Sequence, residues 1–236
     1  MTTILAIETA TEACSAALLY NDAVIHEYEI APRMHTRLIL PMVEKLLAEA
    51  AITLADVDAI AFGRGPGAFT GLRIATGVTQ GLALAHDTPV LPVSTLAAMA
   101  LEMAEQHADK EHFLVAVDAR INEVYWGHYK RQGNSVVLVE QEQVIAADKL
   151  AAITLENWLG VGTGWSAYEE SFQALNQTAE NDIYPEVYPS AKYIALLGNV
   201  AFEAGKALPA ELAQPVYLRD KVADTIAERE RAKKNA

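Results

Sequence analysis

One pattern occurs twice in this sequence and constrains its fold more than any other feature. An apolar strand ends in an acidic residue, and a short turn then leads into a returning strand. The first copy, "ILAIETATEACSAALLY", ends its strand at Glu8, and the second, "FLVAVDARINEVYWGHY", ends its strand at Asp118. Strand-like runs and helical periodicity follow in both halves. The duplication predicts an α/β protein of β-β-β-α units in two lobes, residues 1–105 and 106–236, with the last segment packing back on the first lobe.

Acids at equivalent strand ends have a use if the two hairpins face each other across a cleft. There they can present carboxylates and turn amides to the phosphates and metal of a nucleotide, which is the layout of the actin, hexokinase and Hsp70 superfold. The sequence therefore predicts this two-lobed fold, with Glu8, Thr9 and Asp118 as candidate nucleotide-binding residues. In the alternative, the acids only end their strands and cap local turns, and the repeat leaves both alternatives open.

The glycine-rich stretch "GRGPGAFTGLR", residues 63–73, lies where a buried strand is predicted to turn into a helix. The amides at a helix N-terminus favour anions. A phosphate loop of the Walker type, however, ends in Gly-Lys-Ser/Thr, whereas this one ends in "GLR", and the spacing of a dinucleotide fingerprint is absent. We therefore predict a tight strand-to-helix turn that introduces a docking helix.

The helix after this loop carries two stripes of small residues four positions apart. One of them contains Gly77 and Gly81, and glycine in a helix interior costs about 1 kcal/mol relative to alanine. Such residues indicate close backbone approach, either to the protein's own sheet or to a helix of another chain. A second apolar helix is predicted over residues 37–51. The predicted partner surface comprises Leu38, Met42, Leu46, Leu72, Arg73, Gly77, Val78 and Gly81.

Charge and composition limit the partners and the compartment. The chain has 18 Lys and Arg against 31 Asp and Glu, a net charge of -13, whereas nucleic-acid-binding proteins usually have a basic surface. We therefore expect this chain to reach any nucleic acid only indirectly, through a partner. A single cysteine, Cys14, fits a reducing compartment. No apolar run approaches the about 20 residues that cross a bilayer, so we expect a cytoplasmic protein with no membrane contact.

Several stretches together resemble the TsaB family, also called YeaZ. They are "ILAIETAT", "FGRGPGAFTGLRIATGVTQGLA", "VLPVSTL", "VDARINEVYW" and "PVYLRDKVA", and the resemblance runs from Ile4 to Ala223. It implies a fold of the actin and Hsp70 type and a role in making N6-threonylcarbamoyladenosine in tRNAs that read codons starting with A. It also implies TsaD as the catalytic partner, TsaE as a third member with ATPase activity, and a homodimer when TsaD is missing.

The same resemblance offers a test for catalysis. TsaD-like proteins carry a His-x-x-x-His pair that binds a metal, and the corresponding positions here are Thr95 and Met99. Neither side chain replaces an imidazole ligand. We therefore expect a non-catalytic scaffold with no catalytic residues and no metal or other cofactor of its own, although ATP and Mg²⁺ can enter the complex.

Two enzymatic alternatives stay open. An ATP-binding phosphotransferase or ATPase is common in this superfold, and the only candidate for its second glycine loop is "GVGTGWSAYEE" at residues 160–170. A peptidase is the other alternative, but neither a nucleophile motif nor a metal-binding histidine pair supports it.

Overall fold

The computed structural model describes residues 2–175 and 182–219 and contains two β-sheets with helices on both faces of each. The first sheet has five strands in the order β3-β2-β1-β4-β5. Strand β1 pairs antiparallel with β2 and parallel with β4. Its strands are β1 Ile4–Glu8, β2 Ala13–Tyr20, β3 Ala23–Ile30, β4 Ala59–Gly65 and β5 Val90–Ser94.

The second sheet repeats this topology. Its order is β11-β10-β6-β7-β8, and β9 also pairs with β7. Strand β6 pairs antiparallel with β7 and parallel with β10, just as β1 pairs with β2 and β4. The duplicated α/β architecture of the actin and Hsp70 type is thereby confirmed. The strands are β6 His112–Arg120, β7 Glu123–Gln132, β8 Ser135–Leu138, β9 Gln143–Ala146, β10 Trp158–Val161 and β11 Asp182–Tyr184.

One predicted strand is divided in two. The run "SVVLVEQEQVI" forms β8 and β9, which pair with opposite ends of β7. Residues 139–142 between them leave the sheet, and Glu142 is buried there. Its carboxylate accepts hydrogen bonds from the hydroxyls of Ser94 and Tyr129. The apolar residues of this run predict one continuous strand. That prediction was wrong because residues distant in sequence, such as Ser94, stabilise the local excursion.

Two helices cover the outer face of the first sheet and two short helices cover that of the second. The outer core of the first sheet contains residues of α1 and α2 together with Leu5, Ile7 and Phe62. The outer core of the second sheet contains Trp158, Trp165 and residues near α5. The helices are α1 His35–Glu49, α2 Phe69–Leu84, α3 Thr95–Gln106, α4 Gly164–Ala167, α5 Glu169–Leu175 and α6 Ala191–Glu203.

Helices α3 and α6 are exchanged between the halves of the chain. Helix α3 follows the first sheet in sequence but packs mainly against β6, β7 and β8, whereas α6 packs against β1, β2, β4 and β5. Both contribute to one core with residues of both sheets, including Ile4, Met99, Phe113 and Ile194. Beyond α6, Leu208 and Val90 exchange backbone hydrogen bonds. Among the described residues, no helix has the length and apolar character to span a membrane.

Candidate docking face and interlobe cleft

The glycine loop packs against the turn that follows β1. A Cβ atom on Gly63 would lie 1.9 Å from a carboxylate oxygen of Glu8, and one on Gly71 would lie 2.0 Å from the carbonyl oxygen of Thr9. The Ala68 amide donates to the Ala10 carbonyl at 2.7 Å. The Glu8 carboxylate therefore fills the space beside Gly63, and the backbone of Thr9 and Ala10 fills the space beside Gly71. The loop is a tight strand-to-helix turn, as the sequence predicted.

We expect Gly71→Ala to destabilise the fold by about 2 kcal/mol, because the added methyl group must displace backbone rather than a flexible side chain. The matched control is Gly81→Ala on the same helix, where a Cβ meets nothing within 4 Å. That control should be neutral or stabilising by up to about 1 kcal/mol. Urea denaturation measures both, and equal stability of the two variants would contradict the packing described above.

Glu8 and Thr9 do not line the cleft, so their side chains are not placed to contact a nucleotide there, contrary to the sequence prediction. Both are fully buried. The Glu8 carboxylate accepts from the Ala10 amide at 2.6 Å and from the Thr95 hydroxyl at 2.8 Å, and the Thr9 hydroxyl donates to the Gly71 carbonyl at 2.8 Å. Burial raises the pKa of Glu8 to about 7, although its hydrogen bonds oppose the shift.

Asp118 does reach the cleft, but its carboxylate is engaged by its own lobe. It accepts hydrogen bonds from the Tyr168 hydroxyl at 2.8 Å and the Arg120 amide at 2.7 Å. The Arg120 guanidinium lies 2.9 Å from its other oxygen. Asp118 thus caps the β6–β7 hairpin, which is the alternative that the repeat left open. The two acids of the repeat are equivalent in topology but have different surroundings.

The outer face of α1 and α2 contains only part of the predicted partner surface. Met42, Leu46 and Leu72 are buried in the protein's own core, so the prediction that they contact a partner is corrected. Leu38 and Val78 are half-buried at the edge of that core. The three remaining predicted residues, Arg73, Gly77 and Gly81, are exposed.

The exposed glycines face open space. Within residues 2–175 and 182–219, a Cβ atom on Gly77 or Gly81 would meet nothing within 4 Å. Contact with the protein's own sheet, one of the two explanations for this stripe, therefore does not account for them. The inward stripe of the same helix, with Gly71, Ala75 and Thr79, is the one that packs on the sheet.

Three exposed apolar residues on this face were missed from the sequence. They are Leu40, Phe69 and Leu84, with exposed fractions of 44%, 58% and 62%. Leu84 lies three positions beyond Gly81, so helical periodicity from the glycine stripe could have found it. We call Arg73, Gly77, Gly81, Leu84 and Leu40 the docking face.

A cleft of about 860 Å³ lies between the two lobes beside the docking face. It is lined by the start of α2, by the β6–β7 hairpin and by residues 216–219. Guanidinium groups of Arg33, Arg120 and Arg219 and the carboxyl groups of Glu12 and Asp118 give it mixed charge. The Tyr125 hydroxyl donates across it to the Gly67 carbonyl at 3.4 Å.

The positions that correspond to a metal-binding histidine pair lie inside the protein. Thr95 is fully buried, and its hydroxyl donates a hydrogen bond to the Glu8 carboxylate. Met99 is 1% exposed and lies in the core between the sheets. Within residues 2–175 and 182–219, no group of three or more His, Cys, Asp or Glu side chains is placed to hold a metal ion.

Comparisons with known proteins agree over nearly the whole chain. A family described as "TsaD: tRNA N6-adenosine threonylcarbamoyltransferase" matches residues 23–227. The chain is 41% identical over 229 residues to the tRNA threonylcarbamoyladenosine biosynthesis protein TsaB of Haemophilus influenzae, covering 93% of this chain and 94% of that protein. It is 39% identical over 224 residues to TsaB of Escherichia coli, covering 93% and 96%.

Solved structures give the same result. One described as "YeaZ from Pseudomonas aeruginosa" superposes with a TM-score of 0.84 at 44% identity, covering 92% of this chain and 100% of that one. Another from Pseudomonas aeruginosa, described as an uncharacterized protein with similarity to peptidase YEAZ, has a TM-score of 0.86 at 43% identity and covers 93% and 100%.

Proposed function

This chain belongs to the TsaB family of tRNA threonylcarbamoyladenosine biosynthesis proteins, and we propose that it acts there as a non-catalytic scaffold that binds a TsaD partner. TsaE is the proposed third member of the assembly. In the absence of TsaD, the same face is proposed to pair two copies of this chain. With a net charge of -13, the chain is proposed to reach tRNA through its partners, in the cytoplasm.

The observation that carries this proposal is the glycine stripe of the docking face. Gly77 and Gly81 lower the helix propensity of α2, yet no part of the described chain approaches them. A partner helix could approach this backbone closely, because interaxial distance depends on the side chains at the contact. Leu84, three positions after Gly81, and the exposed Leu40 of α1 supply apolar area for such a contact.

Mixing the chain with TsaD from the same organism tests the proposal. We expect one complex in size-exclusion chromatography. In a reconstituted reaction, we expect threonylcarbamoyladenosine to form in tRNA only when both proteins are present. The chain without TsaD should form none. Two separate peaks, or full modification without this chain, would contradict the scaffold function.

We further propose that the isolated chain binds no nucleotide, and that any ATP and Mg²⁺ belong to the complex. The burial of Glu8 and Thr9 supports this, because neither side chain can contact a ligand in the cleft. Isothermal titration with Mg-ATP should therefore show no binding at millimolar concentration. Tight binding with turnover would instead favour the ATPase alternative. If binding were seen, a change in the heat of titration for the Asp118→Asn variant would locate the nucleotide site at the cleft.

A further inference from the structure

Three of the stretches on which the resemblance to the TsaB family rests meet at one place in the structure. They are residues 63–73, the hairpin that begins "DARINEVYW", and the segment that begins "PVYLRD". The docking face gives a role only to the first of these stretches, because that stretch leads into α2. We call residues 213–219 the C-terminal strap, because they pass from α2 to the β6–β7 hairpin. The strap begins beside α2, where Gln80 Nε2 donates to the Ala213 carbonyl at 3.0 Å.

The middle of the strap holds the loop from which α2 starts. The Val216 amide donates to the carbonyl of Arg64 at 2.8 Å. The ring of Tyr217 stacks on that of Phe69, the first residue of α2, with 5.5 Å between centroids. Helix α2 begins at this point without a side-chain cap on its first turn. The strap therefore adds to the contacts of Thr9, Ala10 and Tyr125 that fix the entry of the docking helix.

The far end of the strap is held by the second lobe. The guanidinium of Arg219, 17% exposed, forms an ion pair with Glu123 and donates to the Arg120 carbonyl at 3.2 Å. That carbonyl belongs to a turn in which Arg120, Ile121 and Asn122 have φ values of 65°, 58° and 59°. Left-handed conformations at three successive residues without glycine cost energy. Arg219 thus contacts a turn whose shape the surrounding structure must maintain.

We propose that the C-terminal strap sets the position of the first turn of α2 and thereby the affinity of the docking face for its partner. In this proposal, the ion pair between Arg219 and Glu123 holds the strap in place. The inference rests on the proposed function, since it concerns the same helix. The physical reason is preorganisation: a helix entry that is already ordered loses less conformational entropy when it binds.

Charge reversal tests the ion pair directly. Arg219→Glu places a second carboxylate beside Glu123 and should release the strap. In the free full-length chain, we expect amide hydrogen exchange of residues 63–73 to accelerate by about tenfold, and we expect binding to TsaD to weaken by about tenfold. The swap of Arg219→Glu with Glu123→Arg restores the opposite charges and should restore both quantities.

One control variant separates the strap from general effects of charge, and a second test variant is available if Arg219→Glu does not fold. Lys206→Glu makes the same charge change at an exposed site after α6 and should alter neither quantity. If Arg219→Glu loses its fold by circular dichroism, Glu123→Gln removes the ion pair with a smaller change and replaces it in the test. Unchanged exchange and affinity in the folded variant, or no recovery in the swap, would overturn the proposal.

The two proposals fail in different ways. A wild-type chain that binds no TsaD contradicts the proposed function, whereas exchange in the free chain still decides whether the strap orders α2. Normal exchange together with weakened binding would also overturn the strap, because Arg219 would then be acting as a direct contact.

Discussion

Gly77→Trp is expected to weaken binding to TsaD by on the order of 100-fold, or about 3 kcal/mol, while the fold stays intact. A side chain added at this position points away from the described part of the chain, where a Cβ meets no atom within 4 Å. The monomer can therefore accommodate the indole, but a helix that must approach the Gly77 backbone cannot. Isothermal titration measures the affinity, and thermal unfolding of the variant alone checks the fold.

Two matched variants define what this result means. Gly77→Ala adds only the Cβ and should stabilise α2 by up to about 1 kcal/mol, with a much smaller loss of binding. Val200→Trp places the same indole side chain at an exposed position of α6, away from the docking face, and should bind normally. If Gly77→Trp folds and binds as tightly as wild type, α2 is not the docking helix.

Replacing Glu8 by glutamine is expected to remove a strong pH dependence of stability. The folded chain holds the pKa of Glu8 at about 7, above its ordinary value of 4.5. A raised carboxyl pKa means that the folded state binds the proton more tightly, so stability is highest below pH 4.5 and falls as pH rises through 7. At about 1.4 kcal/mol for each pKa unit, the loss on ionisation is about 3 kcal/mol.

Urea denaturation of Glu8→Gln at pH 5 and pH 8 measures this effect. The amide keeps the size of the side chain, and its oxygen can still accept from the Ala10 amide. From pH 5 to pH 8, wild type loses the stability that comes from neutral Glu8 and the variant does not. We therefore expect the free energy of unfolding of the variant, relative to that of wild type, to be up to about 3 kcal/mol higher at pH 8 than at pH 5. Glu211→Gln, at an exposed site, is the control and should follow wild type. Parallel pH curves for wild type and Glu8→Gln would show that Glu8 is not buried as a neutral acid.

The sequence predicted the architecture well because the information it needed is local. Strand alternation, helical spacing and the repeated acid at a strand end gave the order of elements in both lobes. From the same local pattern, Glu8 and Asp118 were predicted to be equivalent. Their difference depends on Gly63, which allows the loop to cover Glu8 from a position 55 residues away. Contacts at that separation leave no periodic signal.

The docking face was predicted less well for a similar reason. The apolar residues of α1 cover more of the helix surface than the side that packs on the sheet. Their spacing alone does not show which of them face the sheet. The structure places Leu46 in the core and Leu40 outside. Small residues were more informative, since the two stripes of α2 were recognised. Only the structure shows that Gly71 faces inward and Gly77 outward.

The exchange of α3 and α6 has a consequence for how the chain matures on the ribosome. The first sheet emerges early, but α6, the helix that covers its inner face, is made much later. The fit between them is close, since a Cβ atom on Gly198 of α6 would lie 2.7 Å from the Cβ of Ala61. Until α6 leaves the exit tunnel, the nascent first half has an uncovered apolar surface. Neither half is therefore a natural unit for separate expression, and chaperone contact with the growing chain should end only after α6 has been synthesised.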